Sequence, residues 1–214
     1  MKSITYDYTN VGKKQNKAIV MIHGWQGNKD SFKSIANLLK IDNTSWFFPQ
    51  APYQINNDKS KNTWAIEVSP GVFEINKTKE LLSDFFKNII FKNFLPKDVY
   101  VIGFSQGAAV CYEFILSLEE KLGGVFPIAG FMREKYSSDK IHQNQYSTPI
   151  LIGHGKDDDI VLLESSQKAY DCLNKVCTNI KFDIYNGRHK INLSYLSKVK
   201  EIIINNNKNG ANHL

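Results

Sequence analysis

The sequence predicts an α/β architecture, a mostly parallel sheet with helices on both faces. Three observations carry that reading. Strand-length apolar or alternating runs take turns with helix-period stretches along the whole chain, the pattern of repeated strand–helix units. The run Val99-Tyr100-Val101-Ile102 is apolar throughout, as a strand buried on both faces must be, and it leads through Gly103-Phe104-Ser105-Gln106-Gly107 directly into a helical stretch. At 214 residues the chain suits one well-covered core and is short for two.

Taken in order, Ile4 to Tyr8 alternates as an edge strand does, and Lys17 to Ile22 is a short apolar strand ending in His23-Gly24-Trp25-Gln26-Gly27-Asn28. Ser31 to Leu39 carries Phe32, Ile35, Leu38 and Leu39 at helical spacing, and Ser45 to Phe48 is a further strand closed by Pro49-Gln50-Ala51-Pro52. Tyr53 to Gly71 has no clear period and reads as a long loop over one end of the sheet, a place where function concentrates. Leu81, Leu82, Phe85, Phe86, Ile89 and Ile90 form the stripe of a covering helix. Beyond the Ser105 turn come a helix from Ala108 to Leu118, a strand from Gly123 to Ala129 and a polar link from Arg133 to Ser147. A strand from Pro149 to Ile152 ends in His154-Gly155, an amphipathic helix runs from Leu162 to Val176, and the last strand is Lys181 to Tyr185. Asn186-Gly187-Arg188-His189 then turns into a helix from about Leu193 to Ile204. Residues 1–206 are expected to form a single domain and 207–214 a flexible tail, since that Asn- and Lys-rich end offers nothing to bury.

Composition narrows the function classes. The net charge is +6, but the basic residues are scattered with no run of five or six, which is a solvated basic surface and not a nucleic-acid footprint. Cys111, Cys172 and Cys177 are odd in number and lack metal-ligand spacing, so they read as reduced and structural. The first residues lack the apolar core of a signal peptide, and no stretch approaches the ~20 residues of a membrane span. A cytoplasmic location and no stable membrane insertion are the corresponding expectations.

The chemistry centres on Ser105. Strand, G-x-S-x-G and helix together make a nucleophile elbow, in which the turn is tight enough to strain the serine and to exclude side chains at Gly103 and Gly107. The following helix starts beneath the hydroxyl, so its free amides face the place where an oxyanion forms. A serine alcohol needs a base oriented by a carboxylate, and in this architecture the chain order is Ser, acid, His. Of the histidines after Ser105, His213 sits in the tail, His142 precedes every plausible acid, and His154 closes a strand where its ring turns to local hydrogen bonds. His189 remains, in a Gly-containing turn at the sheet edge that also holds Ser105 and the Asp157-Asp158-Asp159 run. Those consecutive carboxylates repel one another, and one can cap the segment near Val161; the residues alone do not separate them.

Five motifs in order then carry a resemblance: His23-Gly24 with Gly27, Phe48-Pro49-x-Ala51-Pro52, Gly103-Phe104-Ser105-Gln106-Gly107, His154-Gly155-x-x-Asp158-x-x-Val161 and Gly187-x-His189. From Lys17 to about Ile204 the chain resembles the phospholipase/carboxylesterase family of α/β hydrolases, which includes acyl-protein thioesterases. That resemblance implies an α/β-hydrolase fold, a triad of Ser105, Asp158 and His189, and an oxyanion hole made by the backbone amides of Trp25 and Gln106. It implies neither a metal nor an organic cofactor. The sequence departs from the family pattern at Trp25, where a smaller aliphatic residue is common, at Lys156-Asp157, and at Leu162, where a Pro is common.

The expected function is therefore hydrolysis of a carboxylic ester or thioester through an acyl-enzyme on Ser105. The substrate is a small ester or thioester, an acylated protein or a lysophospholipid. A non-catalytic binding protein on the same fold, or an acyltransferase with another acceptor than water, are the rival classes. Trp25, Tyr53, Trp64, Val72 and Phe73 are the candidate substrate lining. With Trp25 beside the oxyanion hole and no room for a lid domain, a preference for short to medium acyl chains is expected. Oligomeric state is not legible.

Overall fold

A computed structural model describes residues 3–133 and 136–206; the expected tail at 207–214 lies outside them. The strands are β1 (Tyr6–Val11), β2 (Lys17–Ile22), β3 (Thr44–Pro49), β4 (Tyr53–Ile55), β5 (Asp58–Thr63), β6 (Ile66–Ser69), β7 (Val72–Glu74), β8 (Val99–Phe104), β9 (Gly124–Ile128), β10 (Ile150–Gly155) and β11 (Ile180–Tyr185). The helices are α1 (Lys33–Leu39), α2 (Asn76–Phe85), α3 (Phe91–Asn93), α4 (Gln106–Glu113), α5 (Leu163–Leu173) and α6 (Leu193–Asn205). Seven strands form one sheet in the order β1-β3-β2-β8-β9-β10-β11. Within this sheet, among the described residues, only the β1–β3 pair is antiparallel, and β1 takes the edge that its alternating sequence predicts.

Period-two alternation sorts the strand residues between two cores. Ala18, Val20, Ile22, Val99, Val101, Ile150 and Ile152 face Leu82, Phe85, Phe86 and Ile90 with α4 and α5. Ile19, Met21, Tyr100, Ile102 and Leu151 face Ile35 and Leu39 of α1 and Tyr195, Val199 and Ile203 of α6. Strands β2 and β8, flanked on both sides, are accordingly buried along nearly their whole length, which is why they read as unbroken apolar runs. The Leu81–Ile90 stripe covers one face as expected, although the helix widens into a π turn over Phe86–Ile90 before α3. The helix behind Ser105 is shorter than predicted: α4 ends at Glu113, Phe114 leaves helical geometry, and Ile115–Ser117 is a 3₁₀ turn.

The expected loop from Tyr53 to Gly71 is instead built from two hairpins, β4–β5 and β6–β7. Asn56 and Asn57 both take positive φ in the two-residue turn of the first, the primed-turn conformation that Asn tolerates. Pro70-Gly71 makes the second turn, with Gly71 at φ +75° as a type II turn requires at that position. Both hairpins are largely solvated, so their strands need no apolar alternation and the sequence pattern is silent. Gly27 forms a bridge with Asn62, and Asn28 Nδ2 donates to Ser60 O at 2.8 Å, tying β5 to the turn after β2.

Candidate active site

Strand β8 delivers Ser105 in a conformation that few non-glycine residues hold, φ 55° and ψ −116°. The flanking glycines are sterically required. A Cβ at Gly103 would lie 2.4 Å from Gly107 O, and one at Gly107 would lie 2.2 Å from Ile22 O, so the elbow closes only because both side chains are absent. Gln106 is the first residue of α4, and its amide is among those a helix leaves without an internal partner. Its side chain reaches the other way: Gln106 Nε2 donates to Thr63 Oγ1 at 2.8 Å, and Oε1 accepts from Trp64 N at 3.0 Å.

The turn after β2 is held by His23, a residue sequence reasoning treated only as part of a motif. His23 Nδ1–H donates to Gly24 O at 2.7 Å and Nε2 accepts from Ala51 N at 3.1 Å, a neutral tautomer fixed by its neighbours. Burial pushes its pKa down to about 4. Gly24 passes close enough that a Cβ there would touch Ser105 Cβ at 3.3 Å, which brings the turn that carries Trp25 beside Ser105.

His189 Nε2 accepts from Ser105 Oγ at 3.0 Å, and His189 Nδ1–H donates to Asp158 Oδ2 at 2.8 Å. The carboxylate has no proton to give, so Nδ1 carries the hydrogen and Nε2 keeps its lone pair for the serine. The aspartate run is now separated. Asp158 is buried, and its Oδ1 accepts from Ile160 N and Val161 N at 2.9 and 3.0 Å. Asp157 and Asp159 are exposed, and Arg188 pairs with Asp159 and holds its carboxyl below the usual range. The expected cap near Val161 is thus Asp158 itself, closing a turn ahead of α5, which begins without a side-chain cap. His154 turns to local bonds as expected, with Nδ1 at 2.7 Å from Ser166 Oγ. His142 caps a 3₁₀ turn through Asn144 N at 3.3 Å, and His213 lies outside the described residues.

A cleft of about 1180 Å³ opens from Ser105 and is lined by Trp25, Ile66, Val72, Phe73, Met132 and Arg133 among others. Two of the expected lining residues are elsewhere. Trp64 is wholly buried, donating Nε1–H to His23 O at 2.8 Å with its ring 4.9 Å from that imidazole, so it supports the turn after β2 and does not reach substrate. Tyr53 is likewise absent from the lining, its ring lying under Lys77 Nζ; Gln54, Ile55 and Asn56 line the cleft instead. Met132 and Arg133 follow β9 at the same sheet edge as Ser105, the one signal that could have found them. The expectation of an early-filled pocket fails too: Trp25 is 61% exposed at the mouth, and the volume exceeds the ~300–1,000 Å³ of ordinary small-molecule sites. Among the described residues no group of three or more His, Cys, Asp or Glu side chains is placed to hold a metal ion.

Residues 9–207 match the phospholipase/carboxylesterase family as a whole. The chain belongs to that family. Acyl-protein thioesterase 1 of Debaryomyces hansenii is 31% identical over 82% of this chain and 84% of its own length. Carboxylesterase SOBER1 of Arabidopsis thaliana is 28% identical over 79% and 81% of the two chains, and its crystal structure superposes with a TM-score of 0.76 at 25% identity over 89% and 99%. The crystal structure of esterase PE8 shares the fold with a TM-score of 0.81 at 18% identity over 95% and 99%. This phospholipase/carboxylesterase member has the α/β-hydrolase fold and is a carboxylic ester hydrolase of the serine esterase/thioesterase type.

Proposed function

We propose that Ser105 attacks the acyl carbon of an ester or thioester and carries the acyl group between two half-reactions. His189 Nε2 takes the hydroxyl proton as the bond forms and returns it to the leaving alcohol or thiol, while Asp158 holds the imidazole in the tautomer that permits this. The oxyanion of each tetrahedral intermediate is received by the amides of Trp25 and Gln106, one from the turn after β2 and one from the start of α4. Water, activated by the same histidine, then releases the acid. The single observation behind the reading is the continuous hydrogen-bonded line Ser105–His189–Asp158 at 3.0 and 2.8 Å, opening on an apolar cleft.

The apolar lining favours an acyl chain as the group bound, and an exposed mouth leaves the leaving group free to be large. An acylated protein or a lysophospholipid therefore suits the site as well as a small ester does. We further infer that residues 1–206 act as one domain and that the protein works in the cytoplasm. No helix among the described residues is long and apolar enough to cross a membrane. The test is Ser105→Ala, whose backbone change is slight because only the hydroxyl is lost. Hydrolysis of p-nitrophenyl and matched thioester substrates is expected to vanish, with the folded near-ultraviolet spectrum retained. Activity within tenfold of wild type would refute the assignment.

A further inference from the structure

The catalytic acid touches a second histidine. His154 closes β10, is wholly buried, and has three polar neighbours: Val161 O at 2.8 Å and Asp158 Oδ2 at 3.3 Å, both facing Nε2, and Ser166 Oγ at 2.7 Å, facing Nδ1. Both groups in front of Nε2 are acceptors with no hydrogen of their own, so Nε2 must carry one. Its shorter limb closes the turn whose amides hold Asp158 Oδ1, because Val161 gives its N–H to that oxygen and its C=O to His154. The longer limb meets the very oxygen that accepts the hydrogen bond from His189 Nδ1–H. On the far side, the Ser166 hydroxyl of α5 stands 2.7 Å from His154 Nδ1 and 3.0 Å from Gly130 O, with one hydrogen to serve either, and a Cβ at Gly130 would stand 3.4 Å from Ser105 O. One buried ring therefore joins the acid-bearing turn to α5 and to the floor of the elbow.

We propose that His154 is a positioning residue for the reaction: through Nε2–H it clamps the Asp158–Val161 turn and the Oδ2 of Asp158, setting the carboxylate against His189. This rests on the triad reading above. No proton passes through His154, which keeps its Nε2 hydrogen throughout. A leucine fills the space without a donor, whereas a glutamine puts an N–H₂ close to where Nε2 stands, so the two substitutions separate packing from hydrogen bonding.

The experiment measures kcat and KM per active site, with sites counted by fluorophosphonate titration so that misfolded protein drops out. His154→Leu is expected to lower kcat by about ten- to a hundredfold with KM little changed, the scale of an ångström-level misplacement of catalytic groups. His154→Gln is expected to recover most of that loss, and Ser166→Ala to show a smaller loss of the same kind. A His154→Leu enzyme with the wild-type kcat per titrated site, or a glutamine variant as poor as the leucine one, would overturn the proposal. Should the leucine variant fail to fold, the glutamine and Ser166→Ala variants with the nuclear resonance measurement decide. In that measurement, the ¹⁵N shift of His154 Nε2 in the resting protein near neutral pH is expected to be that of a protonated nitrogen; an unprotonated Nε2 overturns the proposal without reference to turnover. Failure of the triad reading is distinct, since it appears as a Ser105→Ala enzyme that still hydrolyses.

Discussion

Replacing Asp158 by Asn tests the orientation of the whole proposed catalytic line. Asp158 Oδ1 accepts from two backbone amides, so the asparagine must keep its oxygen there and place its N–H₂ where Oδ2 stood. That N–H₂ faces His189 Nδ1, 2.8 Å from the original oxygen, and His154 Nε2, 3.3 Å from it, both of which carry hydrogens. His189 escapes the clash only by moving its proton to Nε2, where the lone pair that should accept from Ser105 is lost. A triad with the wrong tautomer turns over about 10⁴-fold more slowly, which corresponds to about 5 kcal/mol of transition-state stabilisation. The remaining donor-to-donor contact with His154 adds a stability loss of about 1–3 kcal/mol for a buried polar mismatch. Asp157→Asn and Asp159→Asn change exposed side chains, the latter losing only its surface pair with Arg188, and are expected to stay within about threefold of wild type. The assay is kcat for p-nitrophenyl butyrate alongside urea denaturation of all three variants. A loss below a hundredfold in Asp158→Asn, or a larger loss in Asp157→Asn, would refute this account.

Gly107→Ala should separate the two proposed oxyanion amides, since its Cβ would meet Ile22 O at 2.2 Å and His23 O at 2.7 Å; we expect about 1–3 kcal/mol of destabilisation with about a 10²-fold fall in kcat, read by urea denaturation and steady-state kinetics. His23 has a folded pKa near 4 against 6.5 in the unfolded chain, so the unfolded state binds the extra proton as pH falls between those values. Its contribution is fully present above pH 6.5 and is lost on acidification, by about 2.5 kcal/mol at pH 4.5; urea midpoints at pH 7 and 4.5 should therefore fall more in wild type than in His23→Gln. For the cleft, kcat/KM should climb beyond medium acyl chains, by about fourfold per methylene buried, and Val72→Trp should cut the series short; a wild-type optimum at four carbons would refute this reading of the cleft.

Much of the site was legible in the chain because its parts obey local rules. A buried strand must read as an apolar run, a strained serine needs glycines on both sides, and parallel strands send their loops to one edge; these rules point to Ser105 and His189 without coordinates. Choosing among Asp157, Asp158 and Asp159 was beyond such rules, since neighbours with the same side chain differ only in direction; the family resemblance alone pointed to Asp158. The turn separates the three, by aiming two backbone amides at Asp158 and leaving the others in water. The same limit applies to Trp64 and Trp25. Both are tryptophans in polar, weakly patterned stretches, yet one is buried under His23 and the other stands at the cleft mouth. Nor could periodicity reveal the hairpins β4–β5 and β6–β7, whose strands bury so little that any alternation is lost. Sequence by itself determined the sheet and the elbow and pointed to Ser105 and His189 as the proposed nucleophile and base, because burial and backbone strain restrict which residues can occupy those positions. The direction of each carboxylate, the lining of the cleft and the second histidine on Asp158 were decided only by tertiary structure, because each depends on which way a side chain points once distant segments are packed together.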